Sequence, residues 1–239
     1  MIAFHHSPAS THSDSARIVL AEKALDHASH EVDLASFEQH EPAFLAINPS
    51  GMVPVLEDEG HRMTEAFFIM LYLDERFPDP ALGGADPRAR YQVQKWGKYV
   101  ETHIAPHLVI VRWAERGGPL EQDRQQGFDR LPPERRALWQ QAAAGFSAEE
   151  VSASREALAR AAQRLSQDLE HGPWLAGADY TLADAAVFPH VEQFPALGIE
   201  LPPAVQEWRA RVAARPAVRA AMDGLKLLPV MGPERGRWG

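Results

Sequence analysis

The chain has 239 residues, 45% hydrophobic and 24% charged, which is ordinary globular composition and length enough for one large domain or two small ones. It contains no cysteine, so disulfides, thiolate metal sites and a cysteine nucleophile are excluded, and any sulfur chemistry must use a thiol from outside. A formal net charge of −9 repels nucleic-acid backbones and anionic lipid, and no run approaches the roughly 18 apolar residues that span a bilayer, so a cytoplasmic protein without nucleic-acid or membrane partners is expected.

Residues 2–5 form a short apolar strand that stops at Ser7-Pro8, and Ala16, Val19, Leu20 and Lys23 then recur at helical spacing. Residues 30–34 alternate as a half-buried strand does. A poorly periodic segment over 37–47 leads to a turn at Asn48-Pro49-Ser50-Gly51. Residues 53–58 and 61–63, separated by Asp58-Glu59-Gly60, read as a hairpin, and a helix follows from Thr64 to Phe77-Pro78. The order is βαβ, loop, ββα. Residues 78–87 hold three prolines and two glycines with no periodicity, so they read as a linker.

Beyond the linker no strand is predicted. Residues 88–113 are helical, with Pro106 expected to kink or split the helix because it lacks an N–H. Residues 115–133 read as loop or frayed helix, and a further helix lies between Pro132-Pro133 and Gly145. Ser147-Ala148-Glu149-Glu150 is a capping box opening a long helix to about Glu170, and Thr181-Leu182-Ala183-Asp184 is a second one, opening an apolar helix over 185–194. A last helix covers 203–215 and stops at Arg215-Pro216; residues 232–239 read as a loose tail.

Four pieces in this order, Pro8-Ala9-Ser10, Asn48-Pro49-Ser50-Gly51-Met52-Val53-Pro54-Val55-Leu56, Thr64-Glu65-Ala66, and Trp174-Leu175-Ala176-Gly177 with Tyr180-Thr181-Leu182-Ala183-Asp184, resemble the glutathione transferase superfamily. The resemblance covers nearly the whole chain. It implies a thioredoxin-like domain over 1–79 that binds glutathione, a linker over 80–87, and an all-helical bundle over 88–239 that shapes the electrophile pocket. It further implies glutathione as co-substrate, a small hydrophobic or aromatic electrophile, and a homodimer.

Val53-Pro54 lies between two extended segments, where a cis bond would turn the Val53 amide and carbonyl outward to a peptide-like ligand. In the family that position grips the cysteinyl part of glutathione. Ser10 stands just before the first helix, where a hydroxyl and the positive helix end favour a thiolate; by resemblance to the serine-type classes it activates the glutathione sulfur. Counting back from Glu22-Lys23-Ala24-Leu25, as in the bacterial β-aryl etherases, points instead to His12 and Ser13, with Thr11 between the two readings. The resemblance implies that Glu65 meets the γ-glutamyl amine, and that Arg17, Gln39 and His40 lie toward the glycyl carboxylate. Two departures weaken the glutathione site: Met52 where Gln is common, and Ala66 where Ser supplies a hydroxyl to the γ-glutamyl carboxylate, although the Ala66 N–H can still donate.

The middle of the chain, Leu131-Pro132-Pro133-Glu134-Arg135-Arg136-Ala137-Leu138-Trp139 with Gly145-Phe146-Ser147, and the segment Phe37-Glu38-Gln39-His40-Glu41 resemble the β-aryl etherase branch, whose members place glutathione on the carbon bearing an aryl ether and expel a phenol. His103, His107, Ile110 and Trp113 recur every three or four residues and are the expected pocket wall, plain helix packing being the alternative. No metal is expected, since the His103/His107 pair has no third ligand nearby. Alternatives to a transferase are a non-catalytic binding module, suggested by Met52 and Ala66, and a glutathione-dependent isomerase, whose usual Ser-Ser-Cys run is replaced by Ser10-Thr11-His12.

Overall fold

The computed structural model describes residues 1–116, 120, 125 and 127–223. The expected tail over 232–239 and part of the polar stretch over 115–133 lie outside them.

The N-terminal part is a four-stranded sheet in the order β2-β1-β3-β4, built from β1 (Ile2–His6), β2 (His27–Glu31), β3 (Val55–Asp58) and β4 (His61–Met63). β1 pairs parallel to β2 and antiparallel to β3. The parallel pairing requires a crossover, supplied by α1 (Thr11–Glu22); α2 (Pro42–Leu45) and α3 (Ala66–Arg76) complete this part. Boundaries differ from the sequence pattern at β2 and α3, and β3 begins at Val55 rather than at Val53. β2 lies three residues earlier than the alternation suggests, because pairing is fixed by Ile2 opposite His27 through His6 opposite Glu31. Val32 and Leu34, which carried the alternation, instead pack beside Phe44 and Val55 after the strand has ended. α3 begins at Ala66 rather than Thr64, because Glu65 sits at φ +65°, outside the helical region.

Every described element beyond residue 86 is helical: α4 (Pro87–Tyr99), α5 (Ala105–Arg116), α6 (Pro133–Ala144), α7 (Ala148–Leu169), α8 (Leu182–Val191), α9 (Pro203–Ala213) and α10 (Pro216–Met222). Pro106 falls in the first turn of α5, and the wider π turn over Val100–Ile104 joins it to α4, so the missing N–H is accommodated without separating the two helices. Both predicted capping boxes form with reciprocal bonds. The helix α10 was not predicted: Pro216, which stops α9, also supplies the first residue of the next helix, where a missing N–H costs nothing.

α8 is buried along its whole length and packs antiparallel to α1, with the Ser15 hydroxyl bonded to the Ala186 carbonyl (3.2 Å). Lys23, at the end of α1, is buried with its ammonium bonded to Asp74 (2.8 Å) and to the carbonyls of Phe77 (2.7 Å) and Pro80 (2.8 Å). Arg215 closes on Glu22 from the far side at 2.6 and 2.8 Å. These bonds hold the middle of α1 to α8 and its C-terminal end to α3, the segment after it and Arg215. No helix among the described residues is long and apolar enough to cross a membrane.

Candidate functional site

The turn between β1 and α1 carries both candidate serines in different environments. Ser10 is the N-cap of α1: its half-buried Oγ accepts the Ser13 N–H at 3.2 Å, which leaves its own proton free to donate outward. Ser13 is fully buried, and its Oγ accepts the Ser7 N–H at 3.3 Å. The two are therefore not equivalent: Ser10 presents a hydroxyl at the positive end of a twelve-residue helix, whereas Ser13 holds the turn together from within. Thr11 is buried and accepts the Ser15 hydroxyl at its carbonyl (3.1 Å). His12 turns toward the helical domain, with Nε2 3.2 Å from Glu101 and its ring edge-on to the buried His190 at 4.8 Å.

Val53-Pro54 is cis. Neither the Val53 N–H nor its C=O is engaged by another described backbone group, while the Met52 carbonyl accepts the Asn48 side-chain amide at 2.7 Å. Ala66 begins α3 with no side-chain cap, so its N–H points out of the helix unsatisfied, beside the exposed carboxylate of Glu65.

Gln39 and His40 are almost fully buried, and Gln39 Oε1 and both His40 ring nitrogens have no hydrogen-bond partner among the described residues. His40 lies in an aromatic box formed by Phe37 (5.6 Å, stacked), Phe128 (5.7 Å) and Trp139 (5.0 Å). Burial, with the Arg135 and Arg130 charges adding to it, pushes this imidazole down to about 4, so it is neutral at physiological pH. Three buried polar atoms without partners in one region are a cost that a polar ligand relieves.

Arg17 does not reach this region. It bonds Asp14 and donates to His6 Nδ1 at 2.7 Å, so the expected place for it at a glycyl carboxylate is replaced by a role inside the sheet–helix contact.

The four expected pocket residues do not share one wall. His103 is exposed and stacked on Tyr99 at 4.5 Å; His107 faces α7, bonded to Ser154 at 3.2 Å; Trp113 packs edge-on to Trp139 at 5.8 Å; Ile110 is half-buried between them in sequence. The face of the long helix turned to α1 carries Glu101 and Arg112 instead. Arg112 donates to the Ala9 carbonyl at 3.4 Å. Together with Pro8, Ala9, Asp14, Phe188 and Val218 it lines a cavity of about 590 Å³ that starts at the turn preceding Ser10. Burial pushes Asp14 up to about 6 against the opposing charge of Arg17, and lowers Arg112 while Asp14 opposes; Glu192, Gln193, Arg219 and Asp223 also line the cavity, so its walls mix apolar and charged groups.

Arg112 and Arg135 escaped the sequence reading, since an arginine in a helical pattern is normally a solvated face. The signal available for Arg135 was its position in the middle segment of the chain, read there only as a branch marker.

The glutathione S-transferase N-terminal domain family matches residues 4–81, and the glutathione S-transferase C-terminal domain family matches residues 106–216. Protein LigF of Sphingobium sp. (strain NBRC 103272 / SYK-6) is 28% identical over 224 residues, 87% of each chain. The crystal structure of beta-etherase LigF superposes with a TM-score of 0.82 at 27% identity, covering 92% of this chain and 98% of that one. Maleylacetoacetate isomerase of Pseudomonas aeruginosa is 42% identical over 100 residues, 41% of this chain and 47% of that protein. The theta class glutathione S-transferase of Xanthomonas axonopodis pv. citri, solved with glutathione bound, superposes with a TM-score of 0.70 at 25% identity, over 95% of this chain and 98% of that one.

Proposed function

The chain belongs to the glutathione S-transferase superfamily, and we propose that it binds glutathione beside the Ser10 turn and directs the thiolate at a small hydrophobic or aromatic electrophile. The observation that carries this reading is the Ser10 hydroxyl, free to donate at the N-terminus of α1, with the preceding residues Pro8 and Ala9 lining a cavity of about 590 Å³. The residues fit the tripeptide: unpaired main-chain groups at Val53 suit a cysteinyl backbone, Glu65 and the Ala66 N–H suit an amino-acid head, and Gln39 and His40 offer orphaned polar atoms to the rest. Bound glutathione supplies the sulfur nucleophile that this cysteine-free chain lacks.

Ser10 holds the sulfur as thiolate by donating a hydrogen bond to it while keeping its own proton, aided by the helix field, and the cavity orients the electrophile. Pro8, Ala9 and Phe188 provide apolar walls, and Arg112 faces the charge that develops on an expelled phenolate. The finer reading is cleavage of a β-aryl ether, supported by the likeness to LigF, a beta-etherase by its structural description. The match to an isomerase supports a second reading, in which glutathione is returned after each turnover. We also take residues 1–79 as the glutathione-binding domain and 88–239 as the electrophile domain of a cytoplasmic homodimer; Phe68 and Tyr91, 66% and 63% exposed, are large apolar side chains for a second copy to cover.

Calorimetric titration of reduced glutathione, with thiolate absorbance read on wild type and Ser10→Ala, tests the coarse reading. Binding with a thiolate signal that Ser10→Ala loses supports it; no binding at millimolar ligand removes it. A screen of model aryl ethers against reactive halides and cis-enones then separates ether cleavage from general transfer and isomerisation.

A further inference from the structure

The helix α6 and the short turn before it are folded down on the loop that carries Gln39 and His40. Arg130 donates to the His40 carbonyl (3.3 Å) and pairs with Glu41 (2.9 Å), and Trp139 closes the aromatic box around His40. Leu131 lies so near Gly51 that a Cβ there would stand 2.9 Å from Leu131 Cδ2, and Gly51 is at φ +62° as well. The segment is thus tightly seated over the edge of the glutathione site.

This seating brings in Arg135. Its side chain is half-buried, its Nε is sealed from solvent without a partner, and it makes no hydrogen bond or ion pair with any described residue. The carboxylates whose fields reach it are Glu134, its neighbour in the helix, and Glu65, at the start of α3. A guanidinium drawn partly out of water with no anion in contact costs free energy, and five N–H groups in a fixed fork are matched by a carboxylate. The other half of such a site is already present at α3: an α-amino acid head needs an acid for its ammonium and donors for its carboxylate, and Glu65 and the Ala66 N–H supply the acid and one donor. The side chain at 66 is a methyl and supplies nothing further.

We propose that Arg135 is a binding residue for the α-carboxylate of the γ-glutamyl group of glutathione, supplying from α6 the contact that alanine at position 66 cannot make. The inference rests on the glutathione reading above, and it makes the middle segment of the helical domain part of the tripeptide site. Ordering of α6 and binding of the ligand are then coupled.

The test is a two-by-two calorimetric cycle on the full-length protein. Glutathione and 4-aminobutyryl-cysteinyl-glycine, which lacks only the α-carboxylate, are each titrated into wild type and Arg135→Ala, with Arg135→Lys as a charge-retaining control. Arg135→Ala should weaken glutathione about 10- to 100-fold, the range for a hydrogen-bonded charged group, and leave the analogue within about twofold of wild type. Arg135→Lys should fall between, because an ammonium replaces the charge but not the fork. Equal weakening of both ligands would assign Arg135 to holding α6 in place and overturn the proposal, as would unchanged glutathione binding. If wild type itself fails to bind glutathione, the whole site reading falls, whereas wild-type binding with an indifferent Arg135→Ala removes Arg135 alone.

Discussion

Asp184→Ala should be among the most damaging single substitutions in the chain. The carboxylate is fully buried and accepts four bonds: from the Thr181 N–H (2.9 Å), the Thr181 hydroxyl (3.3 Å), the Leu175 N–H (3.0 Å) and the indole N–H of Trp208 (2.8 Å). It therefore caps α8, the buried helix on which α1 rests, and joins it to α9 and to the turn at Leu175. Alanine leaves the hydroxyl able to rotate but strands three buried N–H groups, each costing about 1 to 3 kcal/mol before relaxation. With partial relaxation the loss is about 3 to 5 kcal/mol, at the upper end for a single substitution. Asp184→Asn retains one oxygen and should lose roughly half as much. Urea unfolding followed by tryptophan fluorescence measures both. A loss below about 1 kcal/mol for Asp184→Ala, at unchanged denaturant slope, would refute the argument that this one carboxylate ties the helical domain together.

Ser10→Asp keeps an N-cap acceptor while Ser10→Ala removes it, so the alanine variant alone should lose about 1 kcal/mol of stability, yet both should raise the pKa of the bound thiol, read from thiolate absorbance against pH. Ser13→Ala should lower stability by about 1 to 2 kcal/mol through the stranded Ser7 N–H and leave the thiol pKa where it is; the reverse pattern would give the role to Ser13. His40 is held at about 4 against 6.5 when unfolded, so the native state binds fewer protons between these values. Its contribution is complete above about pH 6.5 and is lost as pH falls toward 4, on the order of 1 to 3 kcal/mol, and His40→Phe, which suits the aromatic box, should flatten that part of the stability profile. Gly97→Ala places a Cβ 2.3 Å from the Phe67 ring, between α3 and α4. Overpacking of about 1 to 3 kcal/mol outweighs a helix-propensity gain of about 1, so the midpoint of thermal unfolding should fall.

Much of the fold is written locally. The βαβ, loop, ββα order, the Gly- and Pro-rich linker and the two capping boxes each depend on residues within a few positions of one another, where spacing alone sets which backbone groups can pair. The same holds for Ser10, whose place at a helix start follows from the Ser7-Pro8 stop and the apolar recurrence after it. Family resemblance carried the reading from these local features to a glutathione site. Other features are invisible at that range. The register of β2 is chosen by its partner strand rather than by its own alternation, and one shift moved Val32 and Leu34 out of the sheet. Periodicity grouped His103, His107, Ile110 and Trp113, but it cannot say which way a helix is rotated against its neighbours, and packing turned His107 to α7 and presented Arg112 to the cavity.

Charged residues show the limit most clearly. In sequence Arg17, Lys23, Arg112 and Arg135 are alike, polar positions in helical patterns. Their surroundings are set by the fold, several of them far away along the chain: Arg17 on His6, Lys23 on the carbonyls of Phe77 and Pro80, Arg112 on the Ala9 carbonyl, and Arg135 in the field of Glu65, 70 positions earlier. A side chain's burial and its electrostatic surroundings are properties of the folded whole, because they depend on what excludes water around it and on which charges then lie close enough to be felt. The sequence by itself determined the elements, their order and the chemistry on offer; the tertiary structure decided which of those groups meet.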